Sequence, residues 1–293
     1  MVWGREFFVI LQLDIKQIGM GRLIADSGST KTSWVLVKDG ERQYFETLGI
    51  NPVRDSGEAI EQVVDSMPPL NYELSTINFY GAGCIEPYSQ AVREVLEHRF
   101  PKAEVHVESD LLGAAHALCG HAEGIACILG TGSNSCLYDG EKIAENVSPL
   151  GWILGDEGSG AVLGRLLVGN VLKRQFSPAL CSAFEQETGL TRAEIINKVY
   201  REQMPNRFLA ALVPFLGRHR DNEEVHGFLV GEFRRFIVRN VASYGRNDLQ
   251  VSFVGGVANA FSDELTEALR LEGFSLGRIL KRPIDGIADY LTT

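Results

Sequence analysis

Several things are scarce in this chain of 293 residues, and each scarcity removes a class of function. Positive charge is one: 28 Lys and Arg face 38 Asp and Glu, a formal net charge of −10. No basic run is long enough to neutralise a phosphate backbone, so nucleic acid is not an expected partner. The five cysteines, Cys84, Cys119, Cys127, Cys136 and Cys181, are odd in number and form no C-x-x-C pair. That argues against a disulfide framework or a zinc ribbon and fits a reducing cytoplasm. The six histidines show no H-E-x-x-H or other metal spacing, and no G-x-S-x-G elbow occurs. Long apolar runs are also lacking. Phe7 to Leu13, FFVILQL, stops at Asp14 without a small-residue cleavage site, so neither a signal peptide nor a membrane span is expected. Residues 1–19 read as an edge strand or a loose extension of uncertain role ahead of Met20, itself a candidate start. The rest, 45% hydrophobic and 23% charged, is globular material of a length that suits two domains.

What the chain does have is a repeated grammar. Residues 23–37, LIADSGSTKTSWVLV, run from an apolar strand through a turn holding Asp26, Gly28 and four hydroxyls into a second strand. Asp39-Gly40 then signals a hairpin into a third strand, Arg42 to Thr47. The same order returns in residues 124–144, where a strand meets Gly130-Thr131-Gly132-Ser133-Asn134, a second strand follows, and Asp139-Gly140 turns into a third. Two copies suit two similar domains facing each other across a cleft, each offering its first glycine turn to a shared ligand. Glycine allows close backbone approach, and hydroxyls with exposed N–H groups make a nest for phosphate oxygens. Because a strand follows each turn, neither a Walker A loop nor a Rossmann fingerprint fits. Asp26 adds a carboxylate suited to Mg²⁺, held through water because that ion dehydrates reluctantly. Either turn alone reads as a polar hairpin; the repetition favours phosphate.

Between and after the turns, strands alternate with helices, the mark of an α/β domain with a mixed sheet. A helix is expected from Glu86 to Arg99, and a strand that ends at Ser109 gives way to a helix at Asp110. Asp110 reads either as a helix cap or as a carboxylate at the carboxyl end of a strand, where open α/β sheets bind ligands. Gly155-Asp156-Glu157-Gly158-Ser159 is an acidic loop before another helix, which caps that helix or pairs with the hydroxyls of a sugar. Residues 160–245 read as helical scaffold. Gly255-Gly256, after a strand, reads as a common strand-to-helix turn or as a flat surface for adenosine.

Taken in order, Asp26 to Thr32, Ser109-Asp110, Gly130 to Asn134, Gly155 to Ser159 and Val254-Gly255-Gly256 resemble the actin-like ATPase superfamily. More closely they resemble the N-acetylglucosamine kinases grouped with the activator ATPases of benzoyl-CoA reductase and 2-hydroxyacyl-CoA dehydratase. The resemblance implies two duplicated ribonuclease H-like α/β domains around a central nucleotide and substrate cleft. Residues 20–112 with a C-terminal helix over 279–293 would form one, and residues 113–278 the other. It implies an ATP-dependent kinase using Mg²⁺, with an amino sugar as acceptor, no nucleic acid, no membrane, and a homodimer. By the same resemblance Asp26 organises Mg²⁺, while Ser29, Thr30, Lys31 and Gly130, Thr131, Gly132, Ser133 lie by the phosphates. Asp110 is then the base; Asn51, Asn134, Pro149, Leu150, Gly151 and Asp156 hold the sugar; Gly255 and Gly256 flank adenosine. One departure stands out: where such kinases carry G-W-G, this chain has Pro149-Leu150-Gly151, with Trp152 displaced. The competing expectations are an activator ATPase serving an iron–sulfur cluster, which needs placed thiolates, and a sensor that binds without turnover.

Overall fold

The computed structural model describes residues 20–28, 30–70 and 72–292. The extension at residues 1–19 and the phosphate-turn candidate Ser29 lie outside the described residues.

Strand β1, Gly21–Ser27, buries Leu23, Ile24 and Ala25 in succession, as a strand covered on both faces must. It pairs antiparallel with β2, Lys31–Lys38, which in turn pairs with the largely exposed edge strand β3, Glu41–Leu48. On its other side β1 runs parallel to β4, Leu74–Gly81, and β4 parallel to β5, Glu104–Ser109. The second sheet repeats this plan with β6, Gly124–Leu129, β7, Ser133–Tyr138, β8, Ile143–Glu145, β9, Gln250–Val254, and β10, Ser275–Leu280. The orders β3-β2-β1-β4-β5 and β8-β7-β6-β9-β10 are the same arrangement, so the repeat seen in the turns extends to whole sheets. This is the two-domain α/β ribonuclease H-like fold of actin-like ATPases.

Each sheet has its own core. Trp34, Phe79, Val92 and Leu96 fill the first, and Phe184, Phe215, Phe233, Phe236 and Phe253 the second. The helix Ser89–Arg99 starts later than expected, since Pro87 biases Glu86 toward an extended conformation. The helix Asp110–Cys119 crosses residue 112 and packs on both halves. Leu111, Ala114, Ala115 and Leu118 meet Ala126, Cys136 and Tyr138 of the second sheet. Ala117 meets Ile24, Val35 and Tyr80 of the first, together with Ile284, Ile287 and Ala288. Those last three lie on the helix Ile284–Thr292, shorter than the expected span from 279 because Ile279 and Leu280 still pair with β9. Arg42–Asp289 and Tyr44–Asp285 contacts, both 2.6 Å, and Arg22 donating to the Leu291 carbonyl hold this helix on the first sheet. Among the described residues no helix is long and apolar enough to cross a membrane.

Candidate active site

Parallel pairing decides which residues meet. The register sets Ser27 beside Gly81 and Gly81 beside Ser109, so β1, β4 and β5 end level with one another. Asp26, Ala82 and Asp110 therefore share one edge of the first sheet. Ser109 is extended (φ −69°, ψ 151°) and accepts the Leu112 N–H at 3.2 Å. The capping role thus belongs to Ser109, and Asp110, half-buried at the head of the helix, lines the cavity. Burial pushes Asp110 up to about 6, against the pull of its own and the Leu111 N–H. Asp26 is pushed up to about 7, first by burial and then by the charge of Asp110, with Lys31 acting the other way.

In the first turn the Gly28 N–H donates to the Lys31 carbonyl at 3.0 Å. Two of the four hydroxyls brace it from behind. Ser27 Oγ lies 2.7 Å from Thr32 Oγ1 and accepts the Ile50 N–H at 2.9 Å, while Thr32 donates to the Leu48 carbonyl. Exposed Thr30 and half-buried Lys31 line the cavity, and Lys31 Nζ pairs with Glu46, which Arg282 also approaches at 3.2 Å. In the second turn Gly130 N–H donates to the Gly132 carbonyl at 2.9 Å. The Gly130 and Thr131 carbonyls accept the N–H groups of Gly160 and Ala161 at 2.8 and 3.0 Å, which docks the turn on the helix Gly160–Leu172. Ser159 caps that helix by accepting the Val162 N–H at 3.2 Å.

A cavity of about 800 Å³ brings together Thr30, Lys31, Asp110, Gly130, Thr131, Gly132, Ser133, Asn134, Pro149 and Gly256 of the expected set. Asp26, Asn51, Leu150, Gly151, Asp156 and Gly255 are not on its wall. Asp26 lies behind it, within electrostatic reach of Asp110 and Lys31. Asn51 Oδ1 accepts the Val53 N–H at 3.1 Å and sits where a Cβ on Gly83 would come within 2.5 Å, at the lip of the same sheet edge. Asp156 takes the Ser133 N–H and is pushed up to about 6 by burial, with Glu157 adding to the rise. Glu157 itself is engaged by Arg239 at 2.6 Å, so of the two adjacent acids only Asp156 adjoins the turn. Leu150, at φ 60°, is exposed, and Trp152 packs against the second core.

Gly255, off the cavity wall, supports the second turn. Its φ is +127°, and a Cβ there would meet the Leu129 carbonyl oxygen at 2.3 Å, so it lets β9 pass close behind the second turn. Gly256, with no atom within 4 Å of its Cβ position, faces the cavity. Residues 160–245 are also more than scaffold: Ala210, Val213, Pro214 and Gly217 line the cavity beside Val257, Ala260 and Phe261. Pro and Gly at Pro214 and Gly217 are compatible with such a wall but equally with an ordinary helix end, so the sequence carries no distinguishing signal.

These residues fit a nucleoside triphosphate with Mg²⁺. Asp26 carries the cost of burial and of the Asp110 charge, a cation beside it would relieve that cost, and its carboxylate is the kind of hard oxygen ligand Mg²⁺ prefers. At Gly28 and Gly130 a Cβ would meet nothing closer than 3.8 and 4.0 Å, which leaves room for phosphate oxygens against the backbone. The thiols suit a cluster poorly. Burial holds Cys127 well above the ordinary thiol range and pushes Cys119 up to about 11, opposite to what a thiolate ligand requires.

No family model and no curated protein sequence matches the chain. Among solved structures, a Porphyromonas gingivalis protein provisionally described as an N-acetylglucosamine kinase is 47% identical, with 92% of this chain and 97% of that one covered and a TM-score of 0.88. A Chromobacterium violaceum protein of the same provisional description shares the fold at 19% identity, covering 93% and 99%, with a TM-score of 0.72. A non-polymerising MamK mutant bound to AMPPNP shares it at 13% identity, covering 93% and 97%, with a TM-score of 0.50.

Proposed function

The chain belongs to the N-acetylglucosamine kinase-like family with the actin-like ATPase fold, and from that premise we propose that it transfers the γ-phosphoryl group of ATP to a hydroxyl of an amino sugar, N-acetylglucosamine. The observation that supports this reading is that Asp110 and both glycine turns line one cavity. Asp110 accepts the proton of the attacking sugar hydroxyl at a carboxylate oxygen. A carboxyl held at about 6 is ionised at neutral pH yet more basic than an exposed one, and such a base contributes ~10²–10⁴-fold in rate. Thr30 and Lys31 on one side and the second turn on the other, through the N–H groups of Thr131 and Gly132, hold the phosphates in line. Asp26 would hold Mg²⁺, which when bound neutralises charge on the phosphate oxygens.

On the acceptor side Asn134 and Pro149 stand on the cavity wall, and Asn51, Leu150, Gly151 and Asp156 lie beside it, off the wall. Asn134 Oδ1 accepts the Ser135 N–H and Asn146 Nδ2, both at 2.9 Å, so its orientation is fixed before a ligand arrives. Approach of the two sheets excludes water, the competing acceptor. The test is ADP release from Mg·ATP alone and with N-acetylglucosamine, N-acetylmannosamine, glucosamine and glucose, with Asp110→Asn as control. Stimulation by one amino sugar, lost in the variant, is the expected result; sugar-independent hydrolysis would overturn the kinase reading.

A further inference from the structure

The two ends of the cavity differ in chemistry. Among the described residues that line it, every polar side chain, Thr30, Lys31, Asp110, Thr131, Ser133 and Asn134, comes from the turns and the strand starts beside them or from the head of the helix Asp110–Cys119. The far wall is Val213, Pro214, Gly217, Val257, Ala260 and Phe261, drawn from separate helical segments. Three of its backbone donors are engaged: Val213 N–H donates to the Ala210 carbonyl at 3.2 Å, Gly217 to Val213 at 3.4 Å and Phe261 to Val257 at 3.0 Å, and Pro214 has no N–H to give. Such a wall holds a flat aromatic ring by area and shape and presents little that pairs with its edge.

We infer that this wall is a base-permissive slot: the donor is any purine nucleoside triphosphate, selected by its phosphates at the two turns and not by hydrogen bonds to its base. The inference rests on the donor-site reading above. A site that pairs with polar groups rejects analogues lacking them by ~10⁴–10⁵-fold, whereas an apolar pocket separates close analogues by only ~10–200-fold. The adenine amino group therefore contributes little to selection here.

The test is direct binding, by calorimetry on the full chain with Mg²⁺, of ATP, GTP, ITP and purine riboside triphosphate, the last lacking the adenine amino group. Affinities within about 200-fold of one another are expected, and a wider gap in favour of ATP overturns the inference while leaving the kinase reading standing. Failure of ATP itself to bind would sink the donor-site reading, and this inference with it. Gly217→Leu supplies a second arm. A Cβ there lies 3.9 Å from Phe261 Cε1, so the side chain enters the slot. It should weaken all four nucleotides by about tenfold or more and leave inorganic tripolyphosphate binding unchanged, which also reports an intact fold. Unchanged nucleotide affinity in this variant would put the base elsewhere and overturn the proposal.

Discussion

Replacing Asp110 with Asn should make the free protein more stable while removing its turnover. Burial holds this carboxyl at about 6 against an ordinary 3.8, so between those values the folded protein binds more protons than the unfolded chain. Stability therefore falls as pH rises through that window, and above it the full penalty of the buried charge is present. At 1.36 kcal/mol for each tenfold change, the difference between about 6 and 3.8 amounts to about 3 kcal/mol. Asn fills the same space without the charge and also removes the negative neighbour that raises Asp26. In urea unfolding without metal or nucleotide, variant and parent should nearly coincide near pH 4, and the variant should gain about 3 kcal/mol near pH 8. The same change leaves the sugar hydroxyl without a proton acceptor, so kcat in the coupled ADP assay should fall ~10²–10⁴-fold. A variant less stable than the parent near pH 8, or a margin that ignores pH, would refute the buried-charge argument. An unchanged kcat would refute the base.

The same titration should appear in catalysis: kcat/KM rises with pH through about 6 as Asp110 ionises, and activity that persists well below that value would count against it. Gly255→Ala combines φ +127° with a Cβ 2.3 Å from the Leu129 oxygen, and should lower stability by ~1–3 kcal/mol and weaken nucleotide binding by moving the second turn. Gly256→Ala, next in sequence but with no atom within 4 Å, should leave the thermal midpoint nearly unchanged; equal losses in the pair would contradict the distinction. Arg239→Ala removes the partner 2.6 Å from Glu157 and loosens the loop that carries Asp156. At ~1–3 kcal/mol for a lost partner it should raise acceptor KM about tenfold and leave donor KM alone, as steady-state kinetics would reveal.

The sheets were readable because alternation and turn chemistry are local: Asp39-Gly40 and Asp139-Gly140 each join the strands they were expected to join. Both glycine turns and the carboxylate after Ser109 were readable for the same reason, with the duplication as a cross-check. What escaped depends on tertiary contact. Ser27 and Thr32 share residue types with Thr30, yet only the register of β1 against β2 turns them inward to brace the turn. Gly255 and Gly256 are identical letters, and the approach of Leu129 alone separates support from surface. The slot wall is built from Ala, Val, Pro, Gly and Phe, the residue types that also fill cores, and its members are brought together from distant segments. Glu157 looked like half of a ligand pair until Arg239, far away in sequence, claimed it.

The division of labour between the two halves follows from their shared plan. The first half contributes the charged groups Asp26, Lys31 and Asp110; the second contributes the neutral turn Gly130 to Ser133, with the N–H groups of Thr131 and Gly132, and the apolar wall. On the proposed reading a nucleotide would seat its base and part of its phosphate chain on the second half, while the proposed proton acceptor belongs to the first. Asp110 heads the helix whose other residues pack on both sheets, so the proposed base is carried by the element that joins the two halves. That element is tightly fitted: a Cβ on Gly286 would come within 2.7 Å of the Ala117 carbonyl oxygen, so the helix Ile284–Thr292 rests directly on the helix Asp110–Cys119. On the proposed reading, a base fixed to this helix would move little in a closure about it and the second turn, farther away, would move more, so closure would bring the phosphates to the base.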